Sequence, residues 1–121
     1  MTAAFACLLA GVGMAMFGRR KKYWMAVHKK LNTAGAAVLL AGGATAFVNV
    51  VISDGRHLAA PHAWVGLTAI ILTGWTLFLG FYSFKAVNKA AVRTVHRWSG
   101  RGAMLFLPTA LILGLKMIGI F

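Results

Sequence analysis

The sequence predicts an all-α fold, a four-helix transmembrane bundle with up-and-down antiparallel connections, forming one domain over residues 1–121. Three observations lead there. First, 60% of the 121 residues are hydrophobic, a composition that points to a chain whose main solvent is not water. Second, apolar stretches of span length alternate with short connections that hold nearly all the charge. Third, His28, His62 and His96 stand 34 residues apart, and each opens an apolar stretch.

The first stretch, Thr2 to Gly18, is the shortest, and its positive charge, Arg19 to Lys22, comes after it. A cleaved signal carries its charge in front of the apolar core, so this stretch reads as a retained span inserted with its N-terminus outside. Cys7 lies within it; a single cysteine gives no disulfide, no CxxCH haem attachment and no thiolate cluster, and reads as a small packing residue. The second stretch runs from Leu31 to Ile52, the third from His62 to Phe84, and the fourth from Trp98 to Phe121 with Pro108 inside it. Short connections between such spans leave an up-and-down bundle, because each backbone polar group in lipid has to be satisfied within its own helix. The 14 glycines, spread through the spans, either let backbones approach closely or make room for a flat macrocycle; composition supports both. Asn32, Asn49 and the span Ser and Thr residues are expected to hydrogen-bond across helices.

A net charge of +12 suggests nucleic acid when it is spread over a surface, but here it is confined to loops, and no nucleic-acid partner is expected. Arg19, Arg20, Lys21, Lys22, Lys29 and Lys30 fill the first connection; Lys85, Lys89, Arg93 and Arg97 fill the third, with Arg101 one turn further on. Short Lys/Arg-rich loops stay in the cytoplasm, which places both termini outside and the basic loops inside, against anionic lipid headgroups. Asp54, in the second connection with Arg56, is the sole acidic residue. General acid–base chemistry by paired carboxylates, intramembrane cation coupling and His-Asp-Glu metal clusters are therefore excluded.

Alternate spans run in opposite directions, so equal spacing puts His28 and His96 at one membrane face and His62 at the other. An imidazole at the mouth of a span can ligate a haem iron, and two neutral imidazoles on one iron give a centre without an open position, suited to electron transfer. Pro61-His62-Ala63-Trp64-Val65-Gly66 and Val95-His96-Arg97-Trp98-Ser99-Gly100 share His-x-Trp-x-Gly, with Gly one turn after His on nearly the same face; Gly35 follows His28 by two turns. A porphyrin lying along a helix needs such small residues. The alternative is that each His and Trp belongs to the interfacial belt.

On His28 after its basic stretch, the Pro61–Gly66 run, Gly80-Phe81 at the end of the third span and His96 opening the fourth, the chain resembles the cytochrome b561 family over roughly residues 15–120. The resemblance implies a four-helix core binding haem b and moving electrons across a membrane, with His28 and His96 as the axial pair on the cytoplasmic side. The family's second pair joins the position of His62 to a histidine on the first core helix, and Thr2 to Gly18 contains none. One haem b is expected and a second is a candidate, with His57 as a substitute ligand; His62 is alternatively a single ligand, a ligand shared with a partner subunit, or a hydrogen-bonding residue at a quinol site. Lys29, Arg93 and Arg97 are expected to pair with haem propionates. The expectation is thus a small b-type cytochrome in a prokaryotic inner membrane, an electron-transfer subunit of a larger redox complex rather than a stand-alone enzyme. The partners are membrane lipid, other membrane subunits and, as a candidate, quinol. The alternative is a haem-free structural or assembly subunit of a respiratory or photosynthetic complex.

Overall fold

A computed structural model describes residues 2–53 and 59–120. The described residues form four helices and no strand: α1 (Thr2–Phe17), α2 (Trp24–Ser53), α3 (Pro61–Tyr82) and α4 (Lys89–Met117). α2, α3 and α4 are long and apolar enough to cross a membrane. At 16 residues, α1 is about 24 Å long against a hydrocarbon core of roughly 30 Å.

The helix ends follow local chemistry. Pro61 opens α3 at a position whose N–H would have no partner in any case, and the Asn88 side chain caps α4 by accepting from the Ala91 N–H at 3.1 Å. α2 begins seven residues before Leu31, and α4 nine before Trp98. The intervening Lys, Arg, Ala and Met residues are good helix formers whose charges remain at the water side. Apolarity marks where the chain enters the membrane, whereas the helix starts earlier. His28 and His96 consequently lie inside helices, at the fifth residue of α2 and the eighth of α4.

Packing divides the bundle into two hairpins, α1 against α2 and α3 against α4, with much slighter contact between them. The interior is built from small residues: Ala4, Ala36, Ala69, Ala103 and Ala110 are buried with Leu8, Leu39 and Leu107, while Phe47, Trp64, Ile71, Trp75, Phe78 and Trp98 face outward. That inversion suits a hydrocarbon solvent, where close approach of backbones replaces the hydrophobic drive. Gly35 belongs to this packing. A Cβ there would come within 2.8 Å of Leu8 Cγ and 3.2 Å of the Ala4 carbonyl, so it seats α1 on α2 instead of making room for a macrocycle beside His28. The span Ser and Thr residues also differ from expectation. Thr45, Thr68, Thr73, Thr94, Ser99 and Thr109 each donate to the carbonyl four residues back in their own helix.

Because Gly35 lies against Ala4 and Leu8, while Gly43 lies against Ile70, the start of α1 is level with the middle of α2. From Ala44 to Ser53, α2 is exposed all round apart from half-buried Val50. Among the described residues, α1 accompanies the basic half of α2.

Replacing Gly35 with Leu should therefore lower the stability of the detergent-solubilised bundle by about 1–3 kcal/mol or more through overpacking; a thermal or denaturant unfolding curve followed by circular dichroism measures this.

Candidate functional site

At the basic end the hairpins stand apart around a cavity of about 410 Å³, walled by all four helices. Leu8 and Val12 of α1, Met25 of α2, Leu77 and Phe81 of α3, and Ala103 and Met104 of α4 give it an apolar lining. His28 and His96 enter from α2 and α4, diagonal positions in the bundle, and their rings stand 6.2 Å apart, centroid to centroid, at 81°.

Each imidazole is aimed by a backbone carbonyl of the other helix in its own hairpin. His28 Nδ1 is 2.8 Å from the Gly11 carbonyl of α1, and His96 Nδ1 is 2.8 Å from the Thr76 carbonyl of α3. A carbonyl oxygen can only accept, so both Nδ1 atoms carry the proton and both Nε2 lone pairs are left for a ligand. Metal-binding histidines are commonly held this way, the outer hydrogen bond fixing tautomer and ring orientation and raising ligand basicity. Gly80 completes the setting of His96, since a Cβ there would come within 3.0 Å of Cε1 and 3.3 Å of Nδ1. Gly100, one turn after His96, lines the cavity opposite Thr76.

The rim is cationic. Lys29, Arg93 and Arg97, the three cations expected at a propionate, all border the cavity. Lys29 also lies over the Phe84 ring at 4.2 Å. Arg19, which the sequence marks only as a loop charge, joins them; its Nε donates to the Ala15 carbonyl at 2.6 Å, and its guanidinium lies over Trp24. Arg101, one turn after Arg97, does not border the cavity, and its guanidinium lies 4.8 Å over Trp98.

The other histidines are not brought to this cavity. His62 sits at the opposite end, in a small cleft with Pro61, Leu113, Lys116 and Met117, and its buried Nδ1 has no partner among the described residues. No described residue of α1 is level with it; from the register of α1 on α2 and α2 on α3, α1 begins roughly 15–20 Å short. His57 lies outside the described residues.

The donor set and the space fit a haem. Two metal–imidazole bonds of about 2.0 Å end to end, together with the half-widths of two rings, span roughly 6 Å, which is the separation observed. Among the described residues no cluster of three or more His, Cys, Asp or Glu is present. A porphyrin iron brings four ligands with it and needs only two more.

Apolar spans enclosing a cation-rimmed cavity into which two oriented imidazoles converge define a cofactor-binding membrane helical bundle. The chain belongs to the cytochrome b561 family: the family model described as "Eukaryotic cytochrome b561" matches residues 1–121. Searches of curated proteins and of solved structures yield no match. Membership makes the protein an integral membrane b-type cytochrome of electron transfer.

Gly80→Leu should deplete bound haem by displacing the His96 ring while leaving helix content intact; haem absorbance per chain, compared with far-ultraviolet circular dichroism, reads both.

Proposed function

We propose that the protein holds a single haem b between His28 and His96 and serves as an inner-side one-electron relay within a larger redox assembly. The observation that carries this reading is the pair of facing imidazoles whose Nδ1 protons are committed to Gly11 and Thr76, 6.2 Å apart across an apolar cavity. A b-type haem bound there supplies the one-electron couple. The chain supplies everything that makes the couple usable. His28 and His96 would together hold the iron and leave it no position for oxygen, the apolar wall would exclude water, and the cationic rim would receive the propionates.

Lys29, Arg93, Arg97 and Arg19 stand where the propionate end would emerge. Positive charge there favours the reduced centre over the oxidised one, so the rim raises the potential as well as orienting the group. Arg97→Ala should lower the haem midpoint potential, by something on the order of tens of millivolts for a charge about 10 Å away at the effective dielectric of a protein surface; a redox titration checks the sign.

A single haem is favoured over two because the described residues of α1 include no histidine and offer His62 no ligand. His62 then has a role outside iron ligation; hydrogen bonding to a quinol head is the reading its uncommitted Nδ1 suits. The open side of α2 from Ala44 onward supports packing against other membrane subunits. The basic connections support a reading with the haem end at the cytoplasmic face and the termini outside. That orientation argument holds for any membrane with a cytoplasmic side; the family's description is eukaryotic and lends nothing to a prokaryotic inner membrane.

A pyridine haemochrome assay should give one haem per chain. His28→Ala and His96→Ala should each lose it, and His62→Ala should retain it. Retention in either of the first two variants, or a ratio of two, would overturn the reading.

A further inference from the structure

We propose that Asn32 is a positioning residue for the axial pair, its amide set beside the His28 imidazole and holding the haem potential above the value that a carbonyl-bonded histidine alone would set. The inference rests on the axial reading given above.

Asn32 follows His28 by one turn and so lies on the same face of α2. Its Nδ2 donates to the His28 carbonyl at 2.7 Å, which fixes which end of the amide is the amino group, and the same nitrogen lies 3.2 Å from His28 Nδ1. The amide is wedged against α1. A Cβ on Gly11 would overlap Asn32 Nδ2 and come within 2.9 Å of its Cγ, so Gly11 is the residue type that admits both the amide and the carbonyl bond to His28. Nδ1 therefore meets two opposed influences. The Gly11 carbonyl draws the Nδ1 proton, moves electron density to Nε2 and stabilises oxidised iron. The positive end of the Asn32 amide dipole, beside the same nitrogen, disfavours that shift of charge. His96 has the matching carbonyl bond to Thr76, but the residue against its Nδ1 is Gly80, which brings no dipole of its own. The two axial ligands are thus unequal, and Asn32 accounts for the inequality.

Two variants separate this role from packing. Asn32→Leu keeps the volume and removes the dipole; Asn32→Ser retains a donor for the His28 carbonyl, as Ser99 does for Val95, but withdraws the N–H from Nδ1. Redox titration of the full-length, haem-loaded protein should show a downward shift of midpoint potential in both, with one haem per chain retained. An unmoved or raised potential in haem-replete Asn32→Ser overturns the proposal, and that variant decides the matter if Asn32→Leu fails to hold haem. Haem retained by His28→Ala would instead overturn the axial reading itself, so the two failures are distinguishable.

Discussion

The arrangement of the cavity depends on two hydrogen bonds that join helices, His28 Nδ1–H to the Gly11 carbonyl and His96 Nδ1–H to the Thr76 carbonyl. Each lies within one hairpin, so each hairpin presents an already oriented imidazole across the gap to the other. In a hydrocarbon solvent such a bond has little competition from water, and an imidazole left without it would be a buried polar group with an unmet donor. The carbonyls that accept these protons already belong to helices and have a second lone pair to give. The site therefore needs no acidic residue within the described helices, in keeping with a chain whose one carboxylate side chain is Asp54.

Around this pair the molecule assigns sizes by environment. Small side chains fill the hairpin interfaces, so that Ala4, Ala69 and Ala103 are almost fully buried, and bulky aromatics point outward. The cavity falls where that close packing stops, between hairpins that touch far less than the helices within each of them. A flat prosthetic group placed there would meet all four helices. It would serve as much as a part of the interior as a passenger in it.

Composition and spacing alone make the bundle and the facing histidines legible. Apolar runs and basic loops carry a periodic signal, and an up-and-down order turns 34-residue spacing into two histidines at one end and one at the other. Other features leave no such trace. Helix starts are hidden because Trp24–Lys30 and Lys89–Arg97 are helical although cations and a histidine interrupt their apolar residues. The partners of His28 and His96 are main-chain oxygens, which leave no mark in a sequence. Gly35 and Gly80 look alike as letters, yet one seats a helix and the other seats a ring, a difference set by which neighbour stands opposite. Arg19 reads as a topology signal alone because it precedes α2 in a run of four cations, and only the fold brings it to the rim.

The bare outer part of α2 has a consequence for the bilayer itself. From Ala44 to Ser53 only Val50 is half-buried, so acyl chains or a neighbouring helix must supply the contacts that the described residues do not.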